Sequence, residues 1–456
     1  MKKSLFWLLI MILTVSMVVT FSLAGCKKEA AEEEVVEEAA EEEVAEEVSP
    51  EEEVAEEAVT LEVWHMWHGG SEPVFEELVE MFMEDNPNVT IKTDVVPFEE
   101  FSKVVKMALT TGTGPDVLHG DPSAFGMQLF AQEGFLYPLS EIAEKYNWNE
   151  RFPKSHIEYY NRPFLPEIYG ISLDGEVTGV FYNKEIFNEL GLVPPTTWVE
   201  FENVINTVFE AGYQPFALGN LDQWPAISIH GSLLHGIVPM EVLHEMAEFT
   251  GKYAWTDEGF IETARLMQEW GVNGYFGEGF NGISYDDSFS QLYTNQAAMM
   301  IMGNWALATL DPNMPFDYGF FPMPSVDPNI PLAAVGSPSN SYSIVKTAEE
   351  EGKLEAAGKF IDFMLSDFVA GKFYEIGRIV ALDIDTTGLK SLRGQDEVLN
   401  ALSQINKGAG MGYFPNNWWA ESWETYLPLM QVLLAGEITP EDFCQQVQES
   451  YGMYVE

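Results

Sequence analysis

Residues 27 to 58 decide how much of this chain can fold. They contain 16 Glu and 2 Lys, and otherwise only Ala, Val, Ser and Pro. So little apolar surface cannot offset the entropy of ordering the backbone, and the like charges repel. Ala and Glu favour transient helix, but the expected state is a solvated spacer. Ahead of it, an apolar run from Leu5 onward is headed by Lys2 and Lys3 and closed by Leu23-Ala24-Gly25-Cys26. Positive residues, apolar run and small residues in that order form a secretory leader. The fold must therefore come from residues 59 to 456. With +2 from the leader and −14 from the spacer, the −51 of the chain leaves −39 on that body. About 400 residues exceed one hydrophobic core, so two lobes are expected.

The cysteine after the small residues resembles a bacterial lipobox, where the thiol is lipidated and the Cys becomes the new N-terminus. That resemblance implies a signal peptide over 1–25, lipidation at Cys26 and an acidic disordered tether over 26–58. A plain transmembrane anchor is the alternative, since the run is nearly long enough to span a bilayer. Either way the body lies outside the cytoplasm, attached to a membrane. Lipidation of Cys26 leaves Cys444 alone, so no intramolecular disulfide is available. Cys444 has Phe443 and Val447 beside it, four apart, and reads as a small core residue. An acidic body repels nucleic acid and anionic headgroups, so no nucleic-acid partner is expected.

Along the body, Val59 to Trp64 alternates and is β-branched, so it reads as a strand. A helix follows with Pro73 in its first turn and Phe75, Leu78, Val79 and Phe82 on one face. Asn86-Pro87-Asn88 ends it, Val89 to Val96 is the next strand, and a helix over roughly 98 to 110 leads to Asp116-Val117-Leu118. Strand, helix and strand in alternation imply an α/β sheet with mainly parallel strands. Ligands of such sheets bind beyond the carboxyl ends of the strands. The loops after the first and third strands, with Trp67, His68, Gly69, Asp121 and Ser123, therefore point at one crevice.

Five stretches carry a wider resemblance. They are the opening strand with Trp64 and its small-residue loop; Thr111 to Val117 followed by Gln132 to Leu139; Gly170-Ile171-Ser172 through Val180 to Phe187 and Pro194 to Trp198; Ala297-Ala298-Met299 to Gly303-Asn304-Trp305; and Ala356 to Phe363 with the terminal Leu434 to Glu441. In this order and spacing the chain resembles extracellular solute-binding proteins of ABC importers, in the large sugar-binding family that includes maltodextrin-binding proteins. The resemblance implies an α/β, two-lobed periplasmic-binding-protein-like fold, with a ligand cleft between the lobes and hinge crossovers. The N-lobe would be 59–173 plus 310–345, the C-lobe 177–309 plus 350–456, and the first crossing near Asp174 to Val177. It also implies a monomer that captures a carbohydrate, delivers it to the permease subunits, and needs no cofactor or metal.

Sugar rings present C–H faces that indoles cover and hydroxyl rims that carboxylates, amides and Arg satisfy. Matched residue by residue, the family's stacking tryptophan falls at Trp305 and its C-terminal stacking aromatic at Trp423, with Trp418 and Trp419 as competitors. Trp224 matches an aromatic cleft segment, Glu176 a carboxylate that accepts sugar hydroxyls, and Trp67, His68 and Gly69 a polar ligand loop. Asp121 completes the ligand set from the third-strand loop. Some relatives carry Asp and Lys where this chain has His68 and Gly69, which leaves the preferred sugar open. Arg378 is divided between ligand contact and ion pair. Trp64 and the Met299-Met300 pair read as core, Trp198 as a helix-entry residue, and Asp116 as a turn residue of the lobe interior. His65 and His68 alone make a weak metal signal. An extracytoplasmic glycosidase, a surface adhesin, and a binding protein for peptide, polyamine or glycerol phosphate remain alternatives. No nucleophile elbow, phosphate loop or zinc helix is visible. Replacing Cys26→Ser is expected to release the protein from membranes on fractionation; retention of the variant there would favour the transmembrane anchor.

Overall fold

The computed structural model describes residues 57–455 apart from 125, 155, 158–164 and 166. The leader, Cys26 and the tether up to residue 56 lie outside the described residues. The strands in chain order are β1 (Val59–His65), β2 (Val89–Val95), β3 (Val117–Gly120), β4 (Asp174–Asn183), β5 (Gln214–Phe216), β6 (Ala297–Gly303), β7 (Tyr318–Phe321), β8 (Ala333–Pro338), β9 (Ser341–Ile344), β10 (Ile379–Val380) and β11 (Gly410–Gly412).

The first sheet has the order β2-β1-β3-β9. β1 runs parallel to β2 from Val59 opposite Val89 to His65 opposite Val95, and parallel to β3. β9 closes the far edge antiparallel to β3. The two-residue period of β1 puts Leu61 and Val63 wholly inside. The helix Glu72–Asp85 starts on its proline and buries Phe75, Leu78, Val79 and Phe82, the face expected from their spacing. The helix Phe98–Thr111 ends at Gly112, whose φ of 68° is the left-handed cap that glycine adopts without strain.

The second sheet has the order β11-β8-β4-β6-β5, with β7 and β10 also paired to β4. The first sheet is mainly parallel, as the alternation over residues 59 to 118 implies, whereas the second is mixed. β5 and β6 are parallel, as are β8 and β11, but β4 runs antiparallel to β6, β7, β8 and β10. Val177, Val180 and Phe181 of β4 are fully buried, so this central strand shows no alternation that would announce its neighbours.

Among the described residues the chain crosses between the two cores three times. Leu173 packs with the first core and Val177 with the second, Val177 lying two residues past Gly175 on the same strand. β8 leads from Ala334 in the second core to Tyr342 in the first, and β10 follows Phe373 of the first core and precedes Val398 of the second. These crossings lie side by side, with Gly175 opposite Pro338 on one edge and Ile379 on the other. The first crossing runs through Asp174–Val177.

The expected lobe boundaries shift. β7 and β8, within the 310–345 assigned to the N-lobe, pair with β4 in the second sheet. The helices Leu354–Met364 and Asp367–Glu375, within the 350–456 assigned to the C-lobe, bury Ala357, Phe360, Ile361, Met364, Val369 and Phe373 against Leu61, Val63 and Ile91 of the first sheet. An amphipathic pattern shows that a face is covered, not which sheet covers it. Asp116 fastens this arrangement: its carboxylate accepts from the Glu62 amide at 2.8 Å and from the Lys353 ammonium at 3.0 Å. Thr197 and Glu200 form a capping box at the helix Trp198–Glu210, and Trp198 stacks on Trp270 as a structural residue. Cys444 is buried, and burial pushes its thiol up to about 12.

Phe360 stands edge-on to Phe82 at 5.3 Å, tying the late helix to the early one. Phe360→Ala is expected to cost about 3–5 kcal/mol in urea unfolding. A loss below about 1 kcal/mol would contradict this packing.

Candidate functional site

A cavity of about 420 Å³ is lined by both lobes and by the crossing segments. The first lobe contributes strand ends: Met66, Trp67 and His68 after β1, Val96 to Phe98 after β2, and Asp121 and Pro122 after β3. The second lobe contributes Trp224 at the head of the helix Pro225–Ile237, Tyr285 at the head of the helix Tyr285–Tyr293, Trp305 in the turn after β6, and Phe414 and Asn416. The crossings contribute Glu176, Ser337 to Asn340, and Arg378.

The tryptophans do different work. Trp224 and Trp305 are half-buried, with ring centroids 6.4 Å apart at 52°. Trp224 also packs on Tyr285 at 4.5 Å, and Trp305 faces Phe414 at 6.3 Å. A side chain at Gly303 would meet the Trp305 ring at 1.9 Å, so the glycine two residues earlier makes room for the indole. Asn304 holds this turn to β4 by accepting from the Val177 amide at 2.9 Å. Trp67, by contrast, is buried: its Nε1–H donates to Tyr342 Oη at 3.1 Å, His119 stacks on it at 4.2 Å, and the Arg378 guanidinium lies 5.1 Å from its ring. It packs the cavity wall and supports Arg378.

Arg378 lines the cavity while ion-paired to Asp174. Its Nε donates to Asp174 Oδ2 at 2.5 Å and its Nη2 to Ser339 Oγ at 3.1 Å. Ser339 in turn donates to Glu176 Oε1 at 2.7 Å. Asp121 accepts from the Ser123 amide at 2.7 Å. Burial raises the Glu176 carboxyl to about 7, with Arg378 and the Ser339 hydrogen bond opposing and Asp174 and Asp121 adding to the rise. Burial likewise raises Asp121 to about 6 against the Ser123 hydrogen bonds. These carboxyls hold their protons more tightly than surface acids do.

Of the residues expected from sequence, Trp67, His68, Asp121, Glu176, Trp224, Trp305 and Arg378 line this one cavity. Gly69 stands beside it, exposed and at φ 57°, without lining it. Trp423 lies one layer out, its ring 5.1 Å from that of Phe98. Trp418 and Trp419 are buried in the second core. His65 is buried against Phe75, and among the described residues no group of three metal-binding side chains occurs. Sequence reasoning passed over Phe98, Tyr285, Phe414 and Asn416. Phe98 and Tyr285 each begin a helix beyond a strand or loop that points at the cleft, and that position was the available signal.

Residues 69–368 match the profile of a family described as bacterial extracellular solute-binding protein. The chain is 24% identical over 331 residues to a multiple sugar-binding protein of Streptococcus mutans serotype c, covering 70% of this chain and 74% of that protein. Its structure is similar to that of a chitin oligosaccharide binding protein, with a TM-score of 0.78 and 21% identity, over 87% of this chain and 99% of the other. It is also similar to the solute-binding protein RafE in complex with raffinose, with a TM-score of 0.72 and 21% identity, over 87% and 100%. At these identities the structural likeness concerns the two-lobed fold. Among the described residues no helix is long and apolar enough to cross a membrane.

The raised carboxyls give a test in the unliganded protein. A carboxyl whose folded pKa exceeds its unfolded one contributes stability below the ordinary carboxylate range and loses it as pH rises through the folded value. For Glu176 that loss runs up to about pH 7 and for Asp121 up to about pH 6. Glu176→Gln cannot ionise, so its melting temperature relative to wild type is expected to be higher at about pH 8 than at about pH 5.5. A difference that is flat or reversed across this range would contradict the burial of the carboxyl.

Proposed function

The chain belongs to the bacterial extracellular solute-binding protein family, and we propose that it captures a carbohydrate in this cleft and delivers it to an ABC permease. The family places the body outside the cytoplasm. In our reading the body is a monomer, held to the membrane by lipid on Cys26 and set off from it by the tether. The site residues in this reading are those already named, with Gly69 shaping the first loop and Trp423 acting through Phe98.

One observation carries the proposal. Two half-buried indoles, Trp224 and Trp305, stand in the same cavity as Asp121, Glu176 and Asn416. Apolar ring faces beside hydrogen-bonding carboxylates and amides suit a pyranose, which is apolar on its faces and polar at its rim. The names of the similar proteins, with multiple sugars, chitin oligosaccharide and raffinose, favour the same class. Capture needs no chemistry. Lobes that both touch the solute gain contacts only when closed, so the solute favours the closed state. Phe98 of the first lobe already reaches Trp224 of the second, at 5.9 Å between ring centroids.

Thermal unfolding of the full chain against mono- and oligosaccharides, raffinose and chitin oligosaccharides included, tests this. A sugar at about 100 times its Kd stabilises by about 2.7 kcal/mol. Trp305→Ala is expected to weaken binding at least about tenfold, or about 1.4 kcal/mol, with the fold intact by circular dichroism. Unchanged affinity would remove Trp305 from the site. Products on chromatography would turn the assignment to a glycosidase, and no shift with any sugar would turn it to peptides, polyamines or glycerol phosphates.

A further inference from the structure

The polar groups of the cleft are unbalanced. Asp121, Glu176, Asp222 and Asp286 line it, while Arg378 is the one Lys or Arg among the described lining residues. Arg378 is already committed, its Nε to Asp174 and its Nη2 to Ser339. Asp222 accepts from the Tyr285 amide at 2.7 Å, and Asp286 is exposed at the rim. Asp121 and Glu176 each have one carboxylate oxygen engaged, by the Ser123 amide and the Ser339 hydroxyl, and no ion pair to either is found among the described residues. Asn416, 5% exposed, adds a carbonyl oxygen with no donor among the described residues, while its amide nitrogen donates to Asn417. His68 is exposed, with its Nδ1 on the Met66 carbonyl, and His119 is held neutral by burial behind Trp67. The cleft therefore offers acceptors and negative charge, and asks for donors and positive charge. A carboxylate shut in such a cavity without a cation is costly, and so is a second anion brought beside it.

We propose that the cleft selects its solute by charge: it takes an amino sugar whose ammonium group lies beside Asp121 and Glu176, and it turns away uronate and phosphorylated sugars. The inference rests on the reading of the cleft as a sugar site. An ammonium group supplies the missing cation and up to three donors, which suits the free carboxylate oxygens and the Asn416 carbonyl. As pH falls and the two carboxyls take up protons, that attraction fades while the ammonium keeps its charge. The other charged or titratable groups facing the pair are Asp174 and Arg378 behind Ser339, His68 on the first-lobe side, and Asp222 and Asp286 on the second-lobe side.

Calorimetry with the full chain at about pH 7 and again at about pH 5.5 tests this with four probes. They are the disaccharides of glucosamine, N-acetylglucosamine and galacturonate, and spermidine. The glucosamine dimer is expected to bind at least about tenfold more tightly than the acetylated dimer at the higher pH, with the gap closing at the lower, and galacturonate at least about tenfold more weakly than either. Glu176→Gln and Asp121→Asn, measured separately so that one misfolded variant leaves the other, are each expected to shrink the amino preference. Equal binding of the amino and acetylated dimers, or galacturonate binding as tightly as glucosamine, overturns charge selection and leaves the sugar reading standing. Spermidine binding without any sugar binding overturns the sugar reading and supports charge selection. Binding of none of the four overturns charge selection and leaves the sugar reading to the wider panel of mono- and oligosaccharides.

Discussion

The buried pair of Asp174 and Arg378 ties the fold to the cleft. Asp174 opens β4, Arg378 immediately precedes β10, and Ser339, which Arg378 also holds, lies just past β8. Those are the three segments that cross between the lobes. Taking two charges out of water costs several kcal/mol, which their attraction offsets only when geometry and further hydrogen bonds are good. Here the guanidinium also has Ser339 and the face of Trp67. Removing either partner would strand a charge, a loss of about 3–5 kcal/mol in comparable pairs. Any relative motion of the lobes must pass through strands that this network joins, and Glu176 is attached to the same network through Ser339. A carboxyl that lines the cleft is thus bonded into the crossing network itself.

The aromatic residues show how one residue type is divided between support and surface. Trp67 is buried, with His119 stacked on it, the Arg378 guanidinium beside its ring and its N–H satisfied by Tyr342. It is spent mainly on support. Trp224 and Trp305 keep area open to the cavity because their neighbours, Tyr285 and Phe414, meet them at 53° and 48° rather than lying flat on them. Gly303 matters for the same reason, since a side chain there would displace the Trp305 ring. The chain therefore builds a rigid indole first and leaves others available second, an order that suits recognition through preorganised surface.

Much of this was legible in the sequence where the signal is local. The period of two in β1 and the proline-headed face of Glu72–Asp85 each report short-range physics, and each element stands where its pattern put it. The loops after β1 and β3 could be aimed at a cleft because parallel strands deliver their carboxyl ends to one edge. What escaped was long-range. Nothing local says that Phe360 packs in one core with Leu61, or that Arg378 pairs with a carboxylate 204 positions earlier. β4 hid its antiparallel partners because a strand buried on both sides has no polar face to alternate with. Phe98 and Tyr285 carry no local mark of a site, and only the fold makes them cleft walls.

Charge acts here on two scales, and they should not be merged. The −39 on the body is a sum over mostly solvated groups, whose field falls away within about 8 Å at physiological ionic strength. That field slows anionic solutes on approach and weakens with salt. Asp121 and Glu176 lie inside the cavity, where water and counterions screen far less, so their influence on a docked solute persists when the surface field is gone. A preference for one solute charge that survives high salt would therefore come from the few groups of the cleft. The overall acidity, the most visible number in the sequence, would then explain how the protein is approached and not what it keeps.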